Sequence, residues 1–122
     1  MATKKGEITI PPKKIALYDE LIRTIPEIER KGVTMPYTSF NGHMFTFLSK
    51  DGTLGIRLSK EDREDFLTTF QSTLFEQYGA VMNEYVTIPA SLLENTNVLK
   101  KYLQMSYSYV KTLNPKPTKK KK

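Results

Sequence analysis

A hairpin between residues 38 and 58 is the sequence feature that most constrains the fold. Two segments, 43–49 and 54–58, lie on either side of the turn Lys50-Asp51-Gly52, and the second alternates apolar residues with Gly55 and Arg57. Alternation with a period of two is typical of β-strands. The Asp-Gly pair supplies the positive φ that a tight hairpin turn needs. We therefore predict an antiparallel strand pair at the centre of the domain.

The same alternation predicts which side chains share a face of the sheet. In the first strand one face is expected to carry Met44, Thr46 and Leu48, and the opposite face Phe45 and Phe47. In the second strand the core-facing set is expected to be Leu54, Ile56 and Leu58, with Gly55 and Arg57 facing away.

Helical patterns flank the hairpin on both sides. A helix is predicted over 12–24, because a proline at the first turn is favourable and Pro26 ends the apolar stripe. A second helix is predicted after Ser59, a good N-cap, with Glu61 and Asp62 at its positive end. The last helix is predicted over 97–113, and its buried stripe is expected to be Leu99, Tyr102, Leu103, Ser106, Val110 and Leu113.

The remaining segments complete an α+β pattern. Strands are predicted over 35–40 and 82–88, a loop or the start of a strand over 73–79, and a single helical turn over 89–93. The predicted element order is α-β-β-β-α-β-α-α, which favours an antiparallel sheet with helices packed on it. We expect a flexible segment over 1–11, one domain over 12–114, and a disordered lysine-rich tail over 115–122.

The net charge of +6 is concentrated in the two ends of the chain. Residues 115–122 contain five lysines and no acid, whereas residues 15–114 carry a net charge of −2. The chain has no cysteine, which excludes disulfides and thiol catalysis. It also lacks an apolar run of about 20 residues that could span a bilayer, and no signal peptide is visible. These features predict a soluble, cytoplasmic protein.

Several short motifs resemble the N-terminal domain of the TfoX (Sxy) family. They are Asn41-Gly-His-Met-Phe45, Leu54-Gly-Ile-Arg-Leu58, Tyr78-Gly79, Glu84-Tyr-Val86 with Pro89, and Tyr109-Val-Lys-Thr-Leu113. The resemblance covers residues 15–114. It implies an α+β fold and a regulatory role, since TfoX proteins are regulators linked to bacterial competence. The lysine tail directly follows the last helix, so we expect a stand-alone domain of this type.

Residues that could support catalysis are sparse. His43 is the single histidine, and no G-x-S-x-G, H-E-x-x-H or glycine-rich phosphate-binding motif occurs. The acids of residues 61–65 are explained by the dipole and the solvated face of a helix. We therefore predict a protein without enzymatic activity, metal or cofactor.

The candidate nucleic-acid contacts lie near the C-terminus. Clustered lysines can neutralise phosphates, and exposed tyrosines can stack on bases. The candidates are Lys116, Lys119, Lys120, Lys121, Lys122, Tyr107 and Tyr109. A solvated tail is an equal alternative for the lysines. For the tyrosines, packing in the core or in a subunit contact is the favoured interpretation.

The leading functional hypothesis is a regulatory module that binds another macromolecule, most simply a protein. Its expected surfaces are the outer face of the hairpin over 46–58 and the last helix with its tail. The alternative is a weak, non-specific nucleic-acid binder that acts through the lysine tail. A homodimer is compatible with either hypothesis.

Overall fold

The computed structural model describes residues 10–32, 36–77 and 79–113. Its helices are α1 (Pro12–Ile22), α2 (Lys60–Phe70), α3 (Ala90–Leu93) and α4 (Thr96–Lys111). Its strands are β1 (Tyr37–Phe40), β2 (His43–Leu48), β3 (Leu54–Arg57), β4 (Leu74–Gln77) and β5 (Ala80–Ile88). The segment predicted over 1–9 and the lysine tail predicted over 115–122 lie outside the described residues.

The strands form one antiparallel sheet in the order β1-β2-β3-β5-β4. The predicted α+β class and antiparallel sheet are confirmed. The segment predicted as a loop or strand start contains the short strand β4. Helix α1 ends at Ile22, two residues before the predicted boundary, because the amide and hydroxyl of Thr24 both bond the carbonyl oxygen of Leu21.

All four helices contribute to one core on the same face of the sheet, which we call the helix face. A chain of hydroxyls crosses this core. The Tyr18 hydroxyl and Thr46 Oγ1 are 2.7 Å apart, and Thr46 Oγ1 lies 2.7 Å from Thr38 Oγ1. All three residues are fully buried, so these bonds satisfy groups that water cannot reach. Burial raises the pKa of Tyr18 well above its ordinary value.

A β-bulge in β2 corrects the predicted alternation. Thr38 pairs with Thr46 and Ser39 pairs with Met44, so Phe45 is the extra residue. A bulge of this kind turns two consecutive side chains toward the same face. Phe45 and Thr46 both enter the helix-face core, and Met44 joins Phe47 on the opposite face. The predicted placement of Met44 and Phe45 was therefore wrong, and the placement of Thr46, Phe47 and Leu48 holds.

The two edges of the sheet differ. At β1 the backbone of Lys31 exchanges two hydrogen bonds with that of Tyr37, of 2.7 and 2.9 Å. The Lys31 ammonium also donates to the Ser39 hydroxyl at 3.0 Å. Within the described residues no strand lies beyond β4 at the other edge. The β1 edge is thus partly covered by the chain itself, whereas the β4 edge is not.

Candidate functional site

The sheet face opposite the helices, which we call the open face, carries a separate apolar cluster. Its buried members are Phe47, Phe75 and Tyr85, and the partly buried residues packed against them are Tyr37, Met44 and Met82. All six side chains come from strands, and none of the described helices contributes to the cluster. The open face therefore holds an aromatic and methionine cluster that the strands bury without any contribution from the described helices.

Bending of the sheet brings β4 over this cluster. Leu74 pairs with Val86, but the next residue, Phe75, pairs with Met82, so residues 83–85 have no partner on β4. The Phe75 ring reaches Gly55 on β3 although β5 lies between the two strands. A Cβ atom on Gly55 would lie 3.0 Å from Phe75 Cγ. Gly55 is thus required by the close approach of an aromatic ring.

A groove of about 990 Å³ lies between the bent strand and the β2–β3 turn. Leu74, Phe75 and Val81 supply apolar lining, and Ser49, Asp51 and Glu76 supply polar groups. Val81 is 47% exposed, the highest value among the large apolar side chains described. The groove therefore presents apolar surface with a polar rim, the pattern of a protein-binding surface.

The β2–β3 turn gives this groove a fixed rim. Ser49 donates its hydroxyl hydrogen to Asp51, and the Thr53 amide donates to the same carboxylate at 3.1 Å. The bond from Ser49 is the main reason why the pKa of Asp51 is lowered. Gly52 has φ of +87°, as predicted for the Asp-Gly turn. The turn is thus held by its own hydrogen bonds.

A polar cluster closes the end of the open face where β3 stops. Arg57 Nε donates to Glu84 Oε1 at 2.6 Å, and the Tyr85 hydroxyl donates to the Met44 carbonyl oxygen at 2.6 Å. Burial raises the pKa of Tyr85 to about 12. These bonds fix the Tyr85 ring beside Phe47 and Phe75, so the cluster is positioned by directional contacts as well as by packing.

The two candidate stacking tyrosines on α4 are engaged within the protein. Tyr107 is only 8% exposed and its ring contacts Phe40 and Phe45, with centroids 5.7 Å apart in each pair. Tyr109 is half-buried, its hydroxyl donates to Glu84 at 3.4 Å, and the Arg57 guanidinium lies 5.7 Å from its ring centroid. Tyr107 packs in the core, as the interpretation favoured over base stacking expects, because it follows Leu103 by one helical turn on the buried side.

The remaining sequence candidates are the tail lysines and His43. The tail lysines Lys116, Lys119, Lys120, Lys121 and Lys122 lie outside the described residues. His43 is half-buried and lines neither the open-face groove nor a second groove of about 490 Å³ beside α1. Among the residues that the structure describes, no cluster of carboxylates and histidine could hold a metal ion. No described helix has both the length and the apolar character needed to cross a bilayer.

The open-face residues that the sequence prediction did not place on this face are Tyr37, Met44, Phe75, Met82 and Tyr85. Their signal was hidden by the two irregularities in strand pairing, which break the period of two on which the prediction relied. Phe47 was predicted to lie on this face and does so. No protein-family model, curated protein or solved structure matches this chain. The resemblance to the TfoX N-terminal domain stays a prediction.

Proposed function

We propose that this protein is a non-enzymatic interaction module that binds another protein on the open face of its sheet. The observation that carries the proposal is the groove lined by Leu74, Phe75 and Val81, where Val81 is 47% exposed and no described helix contributes. A regulatory role of the TfoX type belongs to the same proposal and rests on the motifs between residues 41 and 113. Action in the cytoplasm belongs to it as well and rests on the composition, which includes no cysteine.

The composition of the open face supports this assignment. Aromatic residues and methionine are enriched in protein interfaces relative to the rest of the surface, and they make up the whole cluster. Methionine side chains are flexible and polarisable, so Met44 and Met82 can adjust to an incoming surface. The polar cluster of Arg57 and Glu84 at one end and the β2–β3 turn at the other would supply a rim.

Affinity capture with surface variants tests the proposal. Val81→Glu places a charge in the groove at a side chain that is 47% exposed, so the fold should tolerate it. The matched control is Thr68→Glu on the exposed side of α2. Proteins captured from the source cells by the wild type and by the control, but lost with Val81→Glu, would support binding at the open face. Equal capture by all three chains would contradict it.

A second copy of the chain is one partner that this experiment can identify. Sedimentation velocity of the wild type and of Val81→Glu distinguishes the cases. A dimer that becomes a monomer on substitution would identify the open face as a homodimer surface. A wild type that is monomeric at all concentrations would leave a different protein as the occupant.

The second candidate function is non-specific nucleic-acid binding through Lys116 and residues 119–122. The observation that favours it is the composition of α4, which leads into the tail and carries three lysines and no acid. Fluorescence anisotropy with a labelled random DNA duplex tests it, using the intact chain and a form with the five tail lysines replaced by glutamine. Equal binding by the two chains would exclude the tail as the contact.

A further inference from the structure

Helix α4 has a solvent face with a charge pattern unlike the rest of the folded body. Its exposed side chains include Asn97, Lys100, Lys101, Gln104, Ser108 and Lys111. Residues 15–114 as a whole carry a net charge of −2, yet α4 contains no aspartate or glutamate. The positive charge on this face therefore stands out against an acidic domain.

The three lysines have no neutralising partner on the helix. The positions three and four residues before and after each of them carry no carboxylate, so no intrahelical pair of that spacing can form. None of them forms an ion pair with any carboxylate in the described part of the chain. Their charge is available to a ligand.

The first turn of α4 contains no acidic side chain. Helix α2 shows the opposite arrangement, with Glu61 and Asp62 in its first turn. Lys100 and Lys101 lie in the second turn of α4, and Glu94, which precedes the Asn95 cap, pairs with Lys13 at 3.8 Å. The outer face of α4 therefore carries positive charge that no acid of the same helix compensates.

Two of the ammonium groups are held in place by tyrosine rings. Lys101 Nζ lies 5.6 Å from the centroid of Tyr102, and Lys111 Nζ lies 4.7 Å from that of Tyr107. Both rings are at least nine-tenths buried and belong to the core. Because the lysine side chains themselves are exposed, the ring contacts position the charge and leave its protons free to donate.

We infer that the outer face of α4 binds the phosphate backbone of a nucleic-acid duplex through Lys100, Lys101 and Lys111. Lys100 and Lys111 are separated by about 17 Å along the helix axis, at 1.5 Å per residue. That separation exceeds the width of a major groove, about 12 Å, so the lysines can reach phosphates on both of its sides. Asn97, Gln104 and Ser108 lie on the same face and supply the amide and hydroxyl groups that also contact phosphates.

An anionic lipid surface fits this face less well. Helices that lie in a membrane interface insert an apolar face between the headgroups. The apolar face of α4 is occupied by the core, with Leu99, Leu103 and Val110 fully buried. A nucleic acid needs no apolar contact, because the release of counterions supplies non-specific affinity.

The inference shares its ligand class with the second candidate function and goes beyond it, because it assigns binding to the folded body. Four full-length chains distinguish binding by α4 from binding by the tail. They are the wild type, a variant with Lys100, Lys101 and Lys111 replaced by glutamine, a variant with the five tail lysines replaced by glutamine, and a control. The control carries Lys13→Gln on α1, Arg23→Gln in the turn after α1, and Lys60→Gln on α2. These exposed positions lose the same total charge as the α4 variant.

Anisotropy of a labelled DNA duplex, titrated between about 50 and about 200 mM salt, gives the slope of log affinity against log salt. The α4 variant should lower the magnitude of that slope by about 2 to 3, since each lost phosphate contact removes about 0.9. The control should leave the slope near that of the wild type. Circular dichroism of each chain confirms that the fold is retained.

Three other results would overturn the inference. Equal losses in the α4 variant and the control would show that net charge alone drives binding. Loss of binding in the tail variant together with no change in the α4 variant would leave the second candidate function standing without α4. A wild type that binds vesicles with an anionic phospholipid but not the duplex would show that the ligand class is wrong.

Discussion

The helix face and the open face of the sheet bury apolar side chains by different means. On the helix face, four helices contribute side chains to one continuous core. On the open face, the sheet covers its own cluster by bending β4, so that Phe75 lies against Gly55. Burial by added helices excludes water from whole side chains, whereas burial by bending leaves a groove at the margin. This difference underlies the proposal that the open face binds another protein.

The sharpest test of the comparison is a matched pair of substitutions. Phe45→Ala on the helix face should destabilise the protein by about 3–5 kcal/mol, because a fully buried ring leaves a cavity among fixed neighbours. Phe75→Ala on the open face should cost about 1–3 kcal/mol, because the rim can relax into the space. Urea unfolding followed by circular dichroism measures both. Equal losses of unfolding free energy in the two variants would show that the two faces are equally rigid.

The second prediction concerns the contact that bends the sheet. Gly55→Val should cost about 1–3 kcal/mol, because its Cβ would lie 3.0 Å from Phe75 Cγ and the ring must move. The double variant Gly55→Val with Phe75→Ala should lose less unfolding free energy than the sum of the losses in the two single variants.

Gly79→Ala is the matched control for that pair. Apart from the chain neighbours of Gly79, no atom of the described residues lies within 4 Å of a Cβ added there, so a loss of about 1–2 kcal/mol should come from the positive φ. Its effect should add to that of Phe75→Ala within about 0.5 kcal/mol. If Gly55→Val proved fully additive with Phe75→Ala, the ring contact would not be the cause of its cost.

A smaller effect is expected at the polar centre of the helix face. Tyr18→Phe removes the hydroxyl that bonds Thr46, and it should cost about 1 kcal/mol at neutral pH. Thr46 keeps its partner Thr38, so no group is left without a hydrogen bond. Urea unfolding at pH 7 measures the loss.

The same substitution predicts a change at alkaline pH. Folding raises the pKa of Tyr18, so the folded chain holds this proton at a pH where the unfolded chain releases it. The corresponding stability is complete below about pH 10 and decreases as the pH rises further. Tyr18→Phe should therefore reduce the slope of unfolding free energy against pH above about pH 10. The variant should keep a weaker dependence of unfolding free energy on pH, because Tyr85, whose pKa is about 12, is still present. An unchanged slope would show that Tyr18 does not titrate differently in the two states.

The smallest effect is expected at the rim of the open face. The Ser49 hydroxyl lowers the pKa of Asp51 in the folded state, so this carboxylate stabilises the fold above the ordinary aspartate pKa of about 3.9. That contribution is lost as the pH falls through the lowered pKa. Asp51→Asn should therefore flatten the stability profile below about pH 4. A profile that keeps its acid decline would assign the decline to other carboxylates.

Much of the helix face could be predicted from local patterns. Ser59 caps α2, and all the residues of the predicted α4 stripe are buried except Leu113, which is half-buried. Tyr107 was omitted from that stripe although it follows Leu103 by four residues, a spacing that the sequence shows. These successes depend on helical periodicity, which persists because α4 is continuous over sixteen residues.

The open face could not be predicted in the same way. The bulge at Phe45 exchanges the faces of Met44 and Phe45, and the shift between Leu74 and Phe75 removes three residues of β5 from pairing with β4. Such irregularities depend on contacts between strands distant in sequence, such as that of Phe75 with Gly55. Contacts between strands distant in sequence, and not local sequence patterns, thus determine which side chains form the candidate binding surface.

The backbone bridge between Lys31 and Tyr37 has a consequence for aggregation. Exposed strand edges can template the addition of further strands, and proteins avoid this by covering them or by placing charge there. The bridge uses the outward amide and carbonyl of Tyr37, and the Lys31 side chain adds a charge beside Ser39. Strand addition to the native state is therefore expected to be easier at β4 than at β1, and a lysine or proline introduced in β4 is the change expected to suppress it.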